Sequence, residues 1–152
     1  MSAFKIDKNG NWHYRGVEMS RRDIVTLFYR HLLKDDSGRC FIQIGLQRCF
    51  VEIEDTAYVV WSICRAGGSG GSEQGIGLLL SDDSVEELNP ATLRIGAMNV
   101  PYCVVKNGSF DARFVTSSYY QLADFISHDP QRDQYYISLK GQNYYIPVAQ
   151  GA

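Results

Sequence analysis

The sequence predicts an α+β fold built from two pseudo-symmetric repeats, each made of strand-turn-strand, helix and β-hairpin, joined by an antiparallel β insert. Two duplications lead to this prediction. Residues 6–12 (IDKNGNW) recur 98 positions later as residues 104–110 (VVKNGSF), and residues 47–53 recur as residues 142–148. Between the duplicated segments, apolar residues recur first at helical spacing and then at strand spacing.

The length and composition fit one globular domain. A chain of 152 residues with 45% hydrophobic and 21% charged residues can bury one sizeable core. We expect repeat one at about 4–53, an insert with a Gly-rich loop at 54–103, and repeat two at about 104–148. The net charge of −2 argues against a nucleic-acid partner, because phosphate binding favours a basic surplus. The sequence shows no signal peptide and no membrane-spanning run, so we expect a cytoplasmic protein with no membrane partner.

Each repeat opens with an Asn-Gly pair, Asn9-Gly10 in the first and Asn107-Gly108 in the second. A type I′ turn needs positive φ at both of its central residues, and Asn-Gly adopts this conformation at low cost. We therefore predict that a type I′ turn joins two short strands at the start of each repeat.

A helix is predicted after each opening hairpin. Ser20 with Asp23, and Ser118 with Gln121, have the spacing of an N-terminal capping box. The sequence DDSG at 35–38 is expected to end the first helix, and an Asp-Pro pair the second. The apolar residues at helical spacing are Ile24, Leu27, Phe28 and Leu32 in the first copy, and Leu122, Phe125 and Ile126 in the second.

The closing hairpins can be predicted down to their two faces. Pairing Ile44 with Cys49 places six apolar side chains of the first copy on one inner face, which we expect to join the core. The inner-face residues are Cys40, Ile42, Ile44, Cys49, Val51 and Ile53, and their counterparts are Tyr135, Ile137, Leu139, Tyr144, Ile146 and Val148. The same register keeps the sulfurs of Cys40 and Cys49 too far apart for a disulfide.

The insert is predicted to consist of short strands near 56–64, 76–80, 92–95 and 100–105. Residues 67–72 (GGSGGS) are expected to form a flexible connector.

The cysteines lack any C-x-x-C spacing, and each has β-branched or aromatic neighbours. This pattern favours buried free thiols over a zinc site or a disulfide framework. The four are Cys40, Cys49, Cys64 and Cys103.

Several stretches occur together in an order typical of one bacterial family. They are IDKNGNW at 6–12, RDIVTLF at 22–28, VEIEDTAYV at 51–59, PYCVVKNG at 101–108, Ala112-Arg113, and YYQL at 119–122. Through them most of the chain resembles the domain of unknown function 1285 (DUF1285) family. The resemblance implies an α+β fold of repeated strand-rich motifs and a part in signal transduction, and it supplies no catalytic residues. GLQR at 45–48 departs from the Thr-Pro-led turn expected there.

Candidate catalytic and metal-binding residues are few. The histidines lack the spacing of a metal-binding pair, so no metal and no cofactor is expected. They are His13, His31 and His128. The densest acidic group is Glu52, Glu54 and Asp55, in which the first two side chains share a strand face and could form a carboxylate pair. Because no nucleophile or histidine lies nearby in sequence, a solvated strand end is the favoured interpretation.

An aromatic pair repeats on the outer faces of the closing hairpins, Phe41 with Phe50 and Tyr136 with Tyr145. Such rings either pack under another layer or form an exposed patch for a ligand or a dimer. We predict a non-enzymatic binding module that uses these four residues, with an unknown small molecule or protein bound at the seam between the copies. A homodimer or other homo-oligomer built on the aromatic face is the alternative, and an enzyme using carboxylates near Glu54 is the least favoured.

Overall fold

The computed structural model describes residues 2–66 and 75–149 of the chain. The predicted flexible connector at 67–72 lies outside the described residues. Two α-helices are present in the described part, α1 (Arg22–Arg30) and α2 (Thr116–Ala123). The strands are β1 (Phe4–Ile6), β2 (Trp12–Tyr14), β3 (Val17–Glu18), β4 (Leu32–Lys34), β5 (Cys40–Ile44), β6 (Gln47–Ile53), β7 (Tyr58–Ala66), β8 (Gly75–Leu80), β9 (Val85–Glu87), β10 (Arg94–Ile95), β11 (Pro101–Val105), β12 (Phe110–Phe114), β13 (Ile126–Asp129), β14 (Gln134–Leu139) and β15 (Gln142–Tyr145). Short 3-10 turns occupy Pro90–Thr92 and Ala97–Asn99.

The strands form two six-stranded sheets and one three-stranded sheet. The first sheet has the order β3-β2-β1-β6-β5-β4, the second β10-β11-β12-β7-β8-β9, and the third β13-β14-β15. Both large sheets are mixed, because β1 runs parallel to β6 and β12 runs parallel to β7. Buried apolar side chains from all three sheets and both helices form one cluster. The architecture is α+β with two similar halves, as predicted.

Each half closes with a three-stranded meander, β4-β5-β6 in the first half and β13-β14-β15 in the second. The halves differ in how this meander joins the large sheet of its half. In the first half β6 pairs directly with β1, and Ile53 lies opposite Ile6. In the second half the chain beyond β15 contacts β10 through one isolated bridge, Ile95 opposite Val148. Because β10 lies between this meander and β11, the equivalence of the two repeats is not confirmed in detail.

The two Asn-Gly turns adopt different types. Gly10 and Gly108 have φ of 86° and 84°, but Asn107 also has a positive φ of 55°, whereas Asn9 does not. The second turn is therefore the predicted type I′, and the prediction is wrong for the first. The reason is Asp7, whose carboxylate accepts hydrogen bonds from the backbone N–H of Asn9 and of Asn11. The Asp7 carboxylate thereby stabilises a different turn, in which only the glycine is left-handed.

Both helices begin away from the predicted caps. α1 starts at Arg22 with no side-chain cap, so Ser20 does not cap it. α2 starts at Thr116, which places Ser118 inside the helix, fully buried, with its hydroxyl 2.7 Å from the carbonyl oxygen of Val60. Both helices also end earlier than predicted. Leu32 belongs to β4 and pairs with Ile42 instead of continuing the first helix. The second helix ends at Ala123 and not at Asp129, because Ile126–Asp129 forms β13 and pairs with β14. Strand pairing overrides local helical periodicity here.

The first closing hairpin is tighter than predicted. Cys49 pairs with Ile42, and Ile44 pairs with Gln47, so the turn contains two residues. The predicted pairing of Ile44 with Cys49 is wrong by two positions. A shift of two residues leaves the side chains on their faces, so the predicted inner face survives. Its outer end does not reach the core, since Ile44 is 43% exposed.

The cysteines divide into two classes, and all four are free. Cys40 and Cys103 are buried as predicted, and burial raises the pKa of the Cys103 thiol to about 12. Cys49 and Cys64 are exposed, which corrects the prediction that all four thiols are buried. Cys49 lies in the part of β6 next to the hairpin turn, where Gln47, Arg48 and Cys49 are all exposed.

A half-buried ion pair connects the opening turn of the second half to the β8–β9 turn. The Lys106 ammonium donates to Asp82 Oδ2 at 2.7 Å. Burial raises the pKa of Asp82, but hydrogen bonds from Lys106 and Ser84 outweigh it, so the pKa lies below its ordinary value. The carboxylate therefore contributes stability above the ordinary pKa of about 3.9, and this contribution is lost as the pH falls through the lowered value.

We expect the wild type to lose about 1 kcal/mol more unfolding free energy than Asp82→Asn between about pH 6 and about pH 3. Urea denaturation at both pH values measures the difference. Equal losses in the two proteins would show that the ion pair contributes nothing to acid sensitivity.

Candidate functional site

An apolar groove of 400 Å³ lies between α2, the three-stranded sheet and the chain at 95–99, and we call it the α2 groove. It is lined by Ile95, Asn99, Tyr119, Ala123, Ile126, Tyr135, Ile146 and Val148. Its volume falls within the range of small-molecule sites, about 300–1,000 Å³. None of the lining residues carries a charge. The groove is therefore suited to an uncharged, largely apolar molecule.

The groove follows from the way the second meander joins its sheet. The Ile95 N–H donates to the carbonyl of Pro147, and the Ala149 N–H donates to the carbonyl of Ile95, both at 2.8 Å. Because this attachment involves one residue of β10, the inner face of the meander is left partly uncovered. Tyr135 is 51% exposed and Val148 is 47% exposed. Both residues belong to the face predicted to be core, so the prediction is wrong for them.

Three lining side chains can form hydrogen bonds, namely the amide of Asn99 and the hydroxyls of Tyr119 and Tyr135. No hydrogen bond joins any of the three to another residue that the structure describes. These groups are available to orient a ligand that carries a complementary polar group.

The rim of the groove has an unusual backbone conformation. Met98 and Asn99 have φ of 59° and 61°, in the left-handed region that side-chain-bearing residues rarely adopt. Asparagine tolerates this region, but methionine does so at a cost of about 1–2 kcal/mol. The conformation leaves the Met98 side chain 86% exposed beside the groove. Strained backbone of this kind is concentrated at ligand sites.

The aromatic pair of the first half, Phe41 and Phe50, is covered by arginine side chains. The rings of Phe41 and Phe50 lie opposite each other across β5 and β6, with centroids 6.1 Å apart. The guanidinium of Arg48 lies 4.2 Å from the Phe41 ring, and that of Arg39 lies 3.7 Å from the Phe50 ring. Phe41 is only 4% exposed. The sequence did not decide whether these rings are packed under another layer or exposed. Cation-π contacts with arginine cover them in the structure.

The second aromatic pair has a similar setting on a different sheet. Tyr136 and Tyr145 lie opposite each other with centroids 5.6 Å apart, and Arg132 lies 4.4 Å from the Tyr145 ring. The Tyr145 hydroxyl donates to Asp129 at 2.8 Å, which raises the pKa of the phenol and lowers that of the carboxyl. The two predicted pairs therefore do not meet in one site. Tyr136 and Tyr145 lie on the face of β14 and β15 opposite the α2 groove, and Phe41 and Phe50 lie on the first sheet.

The acidic side chains of Glu54 and Asp55 make hydrogen bonds with residues of other turns and strands. Glu54 Oε1 accepts from the Lys8 N–H at 3.1 Å. Asp55 Oδ2 accepts from the hydroxyl of Tyr102 at 2.7 Å and from Arg113 at 2.8 Å. Each carboxylate is thus engaged by turn or sheet residues. Across the described ranges 2–66 and 75–149, no three His, Cys, Asp or Glu side chains are grouped closely enough to hold a metal ion. Neither described helix is long and apolar enough to cross a membrane.

Two solved structures share the fold. A DUF1285 family protein from Silicibacter pomeroyi DSS-3 matches with a TM-score of 0.77 at 20% identity, over 95% of this chain and 79% of that one. A DUF1285 family protein from Shewanella baltica OS155 matches with a TM-score of 0.65 at 18% identity, over 82% of this chain and 92% of that one. No protein-family model and no curated protein matches the chain. The family resemblance seen in the sequence is confirmed at the level of the fold.

Proposed function

We propose, starting from the fold shared with the DUF1285 proteins, that this chain belongs to that family and is a non-enzymatic binding module. Its ligand is a small, uncharged, largely apolar molecule with at least one hydrogen-bonding group. The observation that carries the proposal is the α2 groove, whose uncharged lining includes polar groups of Asn99, Tyr119 and Tyr135 that make no hydrogen bond with the described residues. Ligand-binding pockets characteristically combine an apolar wall with a few polar groups that fix orientation.

The signalling role implied by the family resemblance fits a ligand-dependent change at the rim. Met98 is exposed and its backbone is strained, and its neighbour Asn99 lines the groove. A ligand that contacts Asn99 acts directly on this rim. Ligand binding in the α2 groove thus changes the exposed surface at Met98, which another protein can contact. We include the signalling role in the proposal on this basis.

A homo-oligomer built on the outer aromatic faces is the second candidate. Arginine and aromatic side chains are enriched at protein interfaces, and Arg39 with Phe50 has this composition. The groove is the stronger candidate because the arginine side chains already cover these rings and Phe41 is buried. These arginines contact the ring faces within one copy of the chain, so a second copy is not needed to shield the rings from water.

A groove-filling variant tests the binding proposal. Ala123 is an exposed residue of α2 that lines the groove, so Ala123→Trp should fill the space without opening the core. Ser117→Trp adds the same ring to an exposed position of α2 outside the groove and serves as the matched control. In thermal shift screening of neutral and charged small molecules, we expect neutral ligands to raise the midpoint by about 5–10 °C when present at about 100 times Kd.

Ala123→Trp should weaken binding of such a ligand by about tenfold or more, because the added ring takes the place of the ligand. Ser117→Trp should bind as the wild type does. Binding that is equal in both variants, or a selection of charged compounds only, contradicts the proposal. Light scattering on the same samples tests the second candidate, the homo-oligomer. A mass of two chains for the wild type, reduced to one chain by Phe50→Ala and Tyr145→Ala, supports the oligomer.

A further inference from the structure

A second cleft, of 550 Å³, opens beside the first sheet, and we call it the His13 cleft. It is lined by Ser2, Ala3, Lys5, Asp7, His13, Arg15, Gly16 and Glu52. In contrast to the α2 groove, most of its functional groups are charged. Strand register places Lys5 between His13 on one side and Glu52 on the other, so the three side chains form one cross-strand row.

The imidazole of His13 is held in one orientation. Its Nε2 lies 2.9 Å from Asp7 Oδ2, and both side chains are half-buried. The other Asp7 oxygen accepts from the N–H groups of Asn9 and Asn11, at 2.9 and 3.0 Å, so the carboxylate is fixed by its own turn. Burial raises the pKa of Asp7, but the hydrogen bonds from His13, Asn11 and Asn9 outweigh it and keep the pKa below its ordinary value. Nδ1 of the ring has no hydrogen-bond partner in the described part of the chain.

Arg15 occupies a position that suits other residues better. It is the first central residue of the turn joining Tyr14 to Val17, with φ of 50°, and Gly16 follows with φ of 83°. Asparagine, aspartate and glycine are favoured there, and arginine adopts this conformation with strain. Its guanidinium lies 5.3 Å from the Tyr14 ring, and no ion pair or hydrogen bond joins it to any residue described in the structure. Arginine donors arranged in this way match the oxygens of phosphate or carboxylate.

We propose that the His13 cleft binds the oxyanion group of a small molecule, a phosphate or a carboxylate, through the guanidinium of Arg15, the ammonium of Lys5 and Nδ1–H of His13. The site is separate from the α2 groove, and neither proposal depends on the other. Lys5 is held only loosely, since its ammonium lies 3.8 Å from the Glu52 carboxylate. Glu52 repels an incoming anion and competes for Lys5, so affinity for a simple anion is weak.

The contribution of His13 depends on the protonation of its ring. Nε2–H donates to Asp7, so Nδ1 carries a proton for the anion only when the ring is an imidazolium. The charged groups that face the ring are Asp7 in its turn, Lys5 on β1 and Glu18 on β3, together with Arg15 and Glu52 across the cleft. Sulfate is the probe because its own charge stays constant near neutral pH.

The experiment is an NMR titration of the ¹⁵N-labelled chain with sodium sulfate, using sodium chloride at equal ionic strength as the reference. At about pH 6 we expect saturating shifts confined to residues 2–18 and 52, with Kd about 1–10 mM. Arg15→Gly removes the guanidinium while suiting the positive φ, and it should weaken binding about fivefold or more. Glu52→Gln should tighten binding about twofold or more, because it frees Lys5 and removes a like charge.

Arg132→Gly is the control, since Arg132 is exposed in the turn between β13 and β14, outside the His13 cleft, and its loss should leave Kd unchanged. Parallel titrations with inorganic phosphate and with acetate show which oxyanion the cleft prefers. The proposal is overturned if sulfate gives no saturation up to about 100 mM, if Arg15→Gly and Arg132→Gly behave alike, or if Glu52→Gln weakens binding. Spectra of each variant without anion establish that the remaining resonances, and hence the fold, are retained.

Discussion

Replacement of Gly10 by alanine is expected to lower the free energy of unfolding by about 2–5 kcal/mol. Gly10 has φ of 86°, which costs an alanine about 1–2 kcal/mol. An alanine Cβ would also lie 3.0 Å from Ser81 Cβ and 3.1 Å from Val59 Cβ, both closer than ordinary contacts. Relieving that overlap in a packed core costs about 1–3 kcal/mol more. Urea denaturation followed by circular dichroism measures the total.

Gly108→Ala is the matched control, because Gly108 occupies the corresponding turn of the second half. Its φ is 84°, nearly the same as that of Gly10, but within residues 2–66 and 75–149 no atom beyond its two chain neighbours lies within 4 Å of the position of an added Cβ. This variant should therefore lose only the backbone contribution, about 1–2 kcal/mol. Equal losses at the two positions would show that the close approach of the first turn to Val59 and Ser81 does not contribute to stability.

Tyr29→Phe is expected to cost about 2 kcal/mol, because it removes the centre of a buried hydrogen-bond network. The Tyr29 hydroxyl donates to the carbonyl of Ala57 at 2.9 Å and accepts from Ser81 Oγ at 2.8 Å. Ser81 Oγ in turn accepts from the Val59 N–H at 3.0 Å. Burial raises the pKa of Tyr29 to about 12, so the hydroxyl remains a donor across the range of pH in which the protein is handled. Phenylalanine keeps the ring contacts and leaves the buried partners unpaired.

Tyr120→Phe makes the same chemical change at a surface position of α2. Tyr120 is exposed, and its hydroxyl makes no hydrogen bond with the described part of the chain. This control should change the unfolding free energy by less than about 0.5 kcal/mol. A loss in Tyr29→Phe no greater than that of the control would mean that water replaces the missing hydroxyl at no net cost.

The sequence was a good guide wherever local chemistry determines structure. The Asn107-Gly108 turn has the predicted positive φ, and two helices and two closing hairpins occur in the predicted order. Both helices nevertheless begin and end at other residues than predicted, and the first hairpin pairs two residues away from the predicted register. The turn at Gly10 could not be assigned from Asn-Gly alone, because the neighbouring Asp7 carboxylate changes its type. The end of α1 depends on the pairing of Leu32 with a strand that comes later in the chain. Long-range pairing of this kind leaves no local periodic signal.

The α2 groove could not be predicted from the sequence, because it also depends on long-range contacts. Tyr135 and Val148 have the alternation of core residues, and they line the groove only because β10 lies between the second meander and β11. Nothing in the residues 94–95 predicts that position. The predicted pairing of Ile44 with Cys49 places Phe41 opposite Glu52, so the direct pairing of Phe41 with Phe50 was not predicted. The arginines that cover the aromatic pairs come from positions with no fixed spacing to the rings.

The bridge between Ile95 and Val148 also shows what attaches the second meander to the molecule. Backbone pairing contributes two hydrogen bonds at one residue of β10. The remaining attachment comes from side chains, since Ile137, Leu139 and Ile146 are buried in the common core. The second meander is therefore anchored mainly by apolar burial, whereas in the first half β1 pairs along β6 and adds a continuous backbone connection.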